Sequence, residues 1–276
     1  MDGKNFQGKS VSLYEAIKTA AFRKSLEHSE IVIPLGMDID GNPEVIDLTK
    51  KNNLLVAGAV DSGKTEFLYS VIASLVLCYT PDKVSLLLDD VTRVEFTSFN
   101  GLPHLIRPAV IYLEESIEAL KWLESEVAAR YQKLATVDAP DVRAYNEKNI
   151  TGEPMPFIAV IVYELSDLMM GFKKIAEQII CNLTRTAPGV GIHLVIGTQR
   201  PSPDVITDNL KECFPARACF FVNSPVDSLV VLDAEGAEKL REQGEMLFID
   251  SKDSKIRHLQ GFYIAYDEID SLVSNY

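Results

Sequence analysis

The chain has 276 residues, 47% hydrophobic and 24% charged, with 15 Gly and 13 Pro. That is enough chain, at ordinary globular composition, for a large core, and it excludes collagen-like, low-complexity and disordered classes. The 27 Lys and Arg against 40 Asp and Glu give a net charge of −13, which repels polyanions on average, so a nucleic-acid contact must rest on named local cations.

Residues 11–27 place Leu13, Ala16, Ile17, Ala20 and Ala21 at helical spacing and predict a short amphipathic helix. Residues 30–48 alternate apolar and polar positions on either side of Asp40-Gly41-Asn42-Pro43, a hairpin pattern. Six apolar runs follow: Asn53–Ala57, Val84–Leu88, Phe157–Val162, Ile192–Ile196, Ala218–Val222 and Met246–Ile249. They read as short buried strands of a mostly parallel sheet. Ile117, Leu120, Leu123, Val127, Tyr131 and Leu134 step by three or four and mark a long amphipathic helix, with the lone Trp122 on its apolar side. Pro154 and Pro156 stop any helix before the Phe157 strand. The alternation predicts an α/β fold, a mostly parallel central sheet with helices on both faces. The division expected is a lead-in helix and β-hairpin over 1–50, packed on a main domain over 51–276.

No apolar run reaches the ~18 residues of a membrane span, and the first thirty residues hold no signal-like apolar core. No membrane contact by this chain is expected. Cys78, Cys181, Cys213 and Cys219 lack CxxC spacing and read as reduced, buried thiols of a cytoplasmic protein. His28, His104, His193 and His258 match no metal-ligand pattern, and no GxSxG elbow is present.

The sharpest chemical signal is Gly58-Ala59-Val60-Asp61-Ser62-Gly63-Lys64-Thr65, which fits GxxxxGK[ST] between an apolar strand and a helix beginning near Glu66. Glycines let successive N–H groups converge on one point, and the helix N-terminus adds partial positive charge to that anion nest. Lys64 is then expected on the β- and γ-phosphates of ATP, and the Thr65 hydroxyl on Mg²⁺. Asp61 brings a negative charge into the loop and is harmless only if it points outward. A carboxylate is also needed at a neighbouring strand end. The run 157–162 is followed by Tyr163-Glu164: Glu164 stands where a carboxylate can polarise water or reach the metal shell, whereas the position before it carries a neutral phenol, a poor Mg²⁺ ligand.

From about Val11 to Tyr276 the chain resembles the motor domain of the FtsK/SpoIIIE family of DNA translocases. The resemblance is carried by VSLYEAI, PLGMDIDGNPEVIDL, LLVAGAVDSGKT, VEFTSFNGLPHL, ARYQKLA, RAYNEK, ELSDLMM, GIHLVIGTQRPSPDVIT, DSLVVLDAEGAEKL and GEMLFID, in that order. It implies a RecA-like P-loop ATPase that forms a ring, usually a hexamer, around double-stranded DNA and uses ATP to move it. Carried over by position, Lys64 and Thr65 contact phosphate and Mg²⁺, Glu164 is the catalytic carboxylate and Gln199 senses the γ-phosphate. The DNA loops fall at Gly171–Lys174 and roughly 201–211, making Lys173, Lys174, Arg200 and Lys211 the candidate DNA contacts.

Departures from the family pattern are Tyr163 for the metal-shell Asp, Pro188 and Leu229 for two arginines, and Asp90-Val91-Thr92 for Asp-Pro-Lys. The first missing arginine is a candidate arginine finger, and Arg185, one helical turn earlier, is the nearest substitute. Two further readings stay open: a nucleotide-binding, catalytically weak homologue with a structural or regulatory role, and a secretion-type ATPase that moves protein. Family members also carry a membrane part, a second motor subdomain and a winged-helix reader, so this chain is expected to be a piece of a longer protein or a small free-standing relative.

Overall fold

Five strands of nearly unbroken apolar sequence form the parallel side of one sheet, and burial on both faces explains that composition. The computed structural model describes residues 11–51, 53–148, 152–241, 243–250 and 255–276. In chain order its elements are β1 (Val11–Ser12), α1 (Leu13–Lys18), α2 (Ala20–Glu27), β2 (Val32–Met37), β3 (Pro43–Asp47), α3 (Leu48–Lys51), β4 (Leu54–Ala57), α4 (Lys64–Cys78) and β5 (Val84–Asp89). There follow α5 (Leu113–Thr136), α6 (Val142–Lys148), β6 (Phe157–Val162), α7 (Leu165–Thr186), β7 (Ile192–Thr198), α8 (Asp208–Cys213), β8 (Ala216–Phe220), α9 (Pro225–Leu232), β9 (Glu245–Asp250), β10 (Arg257–Tyr263) and α10 (Tyr266–Ser274). The six apolar runs each became a strand, β4 to β9, with ends within two residues of those expected.

The sheet order is β3-β2-β10-β9-β8-β4-β7-β6-β5. Strands β8, β4, β7, β6 and β5 are mutually parallel. Beyond β8 the pairing turns antiparallel through β9, β10, β2 and β3. The result is a RecA-like mixed sheet flanked by helices, with α4 packed against β2 and β10 and α5 against α7. Helix α4 is apolar on nearly every side, and Phe67 to Val76 are all buried, as an enclosed helix requires. Because β4 lies between β7 and β8, the loop after β4 opens at the middle of the sheet, where crossovers diverge and a crevice forms.

The single opening helix expected over 11–27 is divided. Thr19 is extended (φ −65°, ψ 146°), its Oγ1 donates to the Ala16 carbonyl (2.7 Å), and the same oxygen accepts from Phe22 N–H (3.2 Å). It thus ends α1 and caps α2, a task suited to a hydroxyl. The expected hairpin is β2–β3. Asp38 fixes its turn by accepting from the N–H groups of Asp40 (2.9 Å) and Asn42 (2.7 Å). Gly36 lets β10 approach the hairpin, since a Cβ there would lie 2.3 Å from the Gln260 carbonyl oxygen. The long helix is α5, with Trp122 half-buried against the core.

Candidate nucleotide site

Three backbone contacts pin the loop after β4. Gly58 N–H donates to Thr198 O (3.1 Å), Ala59 N–H to Phe221 O (2.8 Å), and Gly244 N–H to Ser62 O (3.1 Å). The loop is therefore tied to the ends of β7 and β8 and to the turn before β9. Gly63 has φ +97° and caps α4, and a Cβ on it would lie 2.5 Å from Gly244 Cα, so neither torsion nor space admits another residue. Asp61 (φ +61°) and Val60 face solvent, so the loop's carboxylate does point outward. Beneath the loop, Ser62 Oγ is buried without a hydrogen-bond partner and would sit 2.6 Å from a Cβ on Gly58. A tightly wound loop at a helix N-terminus, with an orphaned buried hydroxyl, is the shape of an anion cradle. Glu66, in the first turn of α4, is exposed.

Lys64 is only 2% exposed. Its Nζ lies 3.3 Å from the Tyr163 carbonyl oxygen and 3.9 Å from the centroid of the Tyr163 ring. Burial lowers its pKa to about 8, against the pull of Glu164, Glu95, Asp90 and Glu66, all of which favour the charged form. The Tyr163 hydroxyl is a hub: it lies 2.9 Å from Thr65 Oγ1, accepts from Gln199 Nε2 (2.9 Å) and reaches Glu95 Oε1 at 3.4 Å. Burial pushes the phenol well above its ordinary range, so it stays neutral. The other Glu95 oxygen accepts from the Tyr69 hydroxyl, which meets Tyr266 at 3.0 Å.

Glu164 caps α7. Its Oε1 accepts from Ser166 N–H (3.0 Å) and Thr198 Oγ1 (2.7 Å), its Oε2 from Gln199 N–H (2.7 Å). Glu164, Gln199, Lys64 and Thr65 thus converge, as the sequence pattern required of a phosphate site. Asp90 accepts from the N–H groups of Thr92 (3.1 Å), Glu95 (2.7 Å) and Phe96 (2.9 Å) and so organises the turn after β5. Asp89 is buried beside Ser116 Oγ (2.8 Å), and burial raises its carboxyl to about 7. Asp167 is also raised, by burial first and then by Glu164 and Asp90.

For Mg²⁺ these donors fit in part. Thr65 offers a hard hydroxyl oxygen, but the carboxylates of Glu164, Asp90 and Glu95 already accept hydrogen bonds: Glu164 from three donors, Asp90 from the backbone and the Thr92 hydroxyl, Glu95 from two phenols. Among the described residues no group of three His, Cys, Asp or Glu could hold a metal ion.

The candidate DNA residues separate. Gly171–Lys174 is a break inside a helix rather than a loop, with Phe172 non-helical (φ −138°, ψ 38°) in the 22-residue α7. Lys173 and Lys174 stand exposed just past it. Arg200 pairs with Asp204 at 3.1 Å, and Asp204 also feels Lys173, so those two cations share a neighbour. Lys211 stands apart. Its side chain is 18% exposed and ion-paired with Asp233, which Arg217 also holds at 3.1 Å. Arg217 pairs across to Leu55 in β4, so this cluster lies toward the strands' starts, away from the loop that follows Ala57. Arg185 is exposed in the last turn of α7.

Sequence reasoning missed β10 and the places of Glu95, Tyr69 and Gly244 in the site. Glu95 and Gly244 lie inside quoted motifs, VEFTSFNGLPHL and GEMLFID. Only their long-range contacts give them a role, and no local spacing records those.

A block of five parallel strands, a wound phosphate loop after its β4 and a carboxylate at the end of β6, one strand removed from β4 across β7, define the P-loop ATPase class, here in RecA-like form. The FtsK/SpoIIIE family profile matches residues 12–203, and this chain belongs to that family. It is 39% identical over 274 residues to the DNA translocase SftA of Bacillus subtilis, covering 98% of this chain and 29% of that protein. It is 39% identical to the DNA translocase FtsK of Mycobacterium leprae, covering 98% of this chain and 33% of that one. The chain thus spans about a third of these relatives' length. Among solved structures, the pCW3 conjugation coupling protein TcpA, a monomer form with ATPγS, superposes with TM-score 0.81 at 24% identity over 99% of this chain and 75% of that one, a likeness of fold.

Proposed function

We propose that this chain is the motor unit of an ATP-driven DNA translocase. The observation that carries the reading is the cradle at Gly58–Thr65, closed over a buried lysine and faced by Glu164, in a chain that belongs to the FtsK/SpoIIIE family. In this reading the N–H groups of Gly58–Thr65 and Lys64 bind the triphosphate, Glu66 borders the site, Gln199 contacts the γ-phosphate, and Glu164, oriented by three hydrogen bonds, polarises the attacking water. Mg²⁺ would offset phosphate charge. Of Thr65 and Glu164, Thr65 is the ligand the geometry favours, and Glu164 serves as base. A ring of subunits around duplex DNA completes the proposal. Lys173, Lys174 and Arg200 face the phosphodiester backbone, and Arg185 is the candidate offered to the next subunit's nucleotide. Lys211, already neutralised by Asp233, is the DNA contact least supported by position. No helix among the described residues is long and apolar enough to cross a membrane, and the motor is proposed to work in the cytoplasm.

A second reading, a nucleotide-binding subunit with little turnover, is favoured by the uncharged Tyr163 at the metal-shell position. ATP turnover with and without duplex DNA tests both. A rate raised by DNA and absent in Lys64→Ala supports the motor. Binding without turnover, unchanged in Glu164→Gln, supports the second reading.

A further inference from the structure

Tyr163 touches each side chain that the proposed function aims at the phosphates from the sheet side. Its ring and carbonyl oxygen hold Lys64, and its hydroxyl holds Thr65 and Gln199. The directions of these bonds follow from chemistry. An amide N–H only donates and an ionised carboxylate only accepts, so Gln199 gives a proton to the phenol oxygen and the phenol gives its own to Glu95. Thr65 must then donate to Tyr163, which leaves the Thr65 oxygen its acceptor capacity. A carboxylate in this place would also accept from Thr65, and it would add a full negative charge beside a polyphosphate. That charge calls for a divalent cation; the phenol's does not, being absent.

The surroundings are already acidic. Glu164, Glu95, Asp90 and Glu66 all act on Lys64, and a fifth carboxylate would repel metal-free triphosphate more strongly. Gly197 has a place in this arrangement too. A Cβ on it would lie 2.5 Å from the Tyr163 carbonyl oxygen, so β7 approaches the strand end closely enough to fix the backbone from which the ring projects.

We propose that Tyr163 is a positioning residue that organises Lys64, Thr65 and Gln199 without charge, so that this chain captures nucleoside triphosphate with little dependence on a divalent cation. The inference rests on the nucleotide-binding reading above and deepens it.

The test is the dissociation constant of ATPγS, measured by calorimetry in excess Mg²⁺ and in EDTA, for the unchanged protein, Tyr163→Asp, Tyr163→Phe and Lys64→Ala. The unchanged protein should weaken by less than about threefold in EDTA. Tyr163→Asp should weaken by about tenfold or more, the size of effect that shell residues have on metal sites. Tyr163→Phe keeps the ring over Lys64 but frees Thr65 and Gln199, and should weaken by a similar factor in both buffers. A hydroxyl with no positioning role would leave the affinity of Tyr163→Phe equal to that of the unchanged protein in both buffers. An unchanged protein whose affinity falls tenfold or more in EDTA overturns the inference and leaves nucleotide binding intact. That measurement needs no variant to fold. If ATPγS binds no better than to Lys64→Ala in either buffer, both the inference and the nucleotide reading fall.

Discussion

The phosphate loop and the basic face drawn from residues 173–211 are both proposed to grip phosphate, yet they are built from different material. The loop works through main-chain N–H groups, two glycine contacts and one enclosed lysine, all fixed by hydrogen bonds to three other strands' ends or turns. The basic face would work through long side chains: Lys173 and Lys174 are exposed, Lys173 and Arg200 have Asp204 as a common neighbour, and Lys211, set apart from them, is spent on Asp233. Backbone geometry leaves a spacing rule in the sequence, whereas the free or paired state of a cation does not. The first site should therefore fail abruptly when one residue changes, and the second should weaken by small, separable steps.

The largest effect expected is at Lys64. Among the described residues it is the one cation enclosed by the site, so Lys64→Ala should lower ATP turnover about 10³-fold or more, roughly 4 kcal/mol of transition-state stabilisation. Steady-state phosphate release checks this, and a loss under tenfold would erase the contrast between the two regions. Glu164→Gln comes next. The amide keeps the size of the cap and the base is lost, so turnover should fall by about 10² to 10³ while ATPγS affinity stays within about threefold. The Gln oxygen can keep Ser166 N–H and Thr198 Oγ1, and Gln199 N–H then faces the NH₂.

A smaller effect concerns pH. Burial holds the Lys64 pKa at about 8 against an ordinary 10.5, so the folded protein gives up this proton before the unfolded chain does. The cost of enclosing the charge is present as pH falls through 8 and vanishes toward 10.5, so stability of the empty protein should rise over that window. Affinity for triphosphate should move the other way, falling by up to about tenfold per unit above pH 8, because the neutral amine no longer attracts phosphate. Binding at pH 8 to 9 should take up a proton, which calorimetry in buffers of different ionisation enthalpy detects. Equal heats in all buffers would show that Lys64 does not change its protonation on binding.

Much of this architecture was legible because burial and periodicity write themselves locally. Strands β4 to β9 are apolar runs, and α5 steps by three and four. Thr19 divided the first helix because one hydroxyl both ends and starts a turn, a choice that apolar spacing does not register. Strand β10 was hidden because Arg257 and His258 open it and only its middle is buried. Inside the site the loop, Glu164 and Gln199 were readable from motif position, and the departure at Tyr163 was visible as a missing charge. What the phenol does instead was not readable, since its partners Thr65, Glu95 and Gln199 lie 98, 68 and 36 residues away.

The basic face supplies the smallest steps and the finest distinction. Each lysine that neutralises a DNA phosphate releases condensed counterion, so its removal lowers the slope of log affinity against log salt by about 0.9. Lys173 and Lys174 are exposed just after the break in α7, with no ion pair of their own among the described contacts. Lys173→Ala and Lys174→Ala should each reduce the slope by about that amount and weaken duplex binding a fewfold. Arg200 must first leave Asp204, so Arg200→Ala should change the slope by less, and Asp204→Asn should tighten binding slightly by releasing both Arg200 and Lys173. Lys211→Ala should leave the slope unchanged, because its charge is already matched by Asp233 and lies toward the strands' starts. Fluorescence anisotropy of a labelled duplex over a salt series resolves these slopes. A full unit lost in Lys211→Ala would show that the Asp233 pair opens to DNA, and would move the proposed contact surface around to α8 and α9.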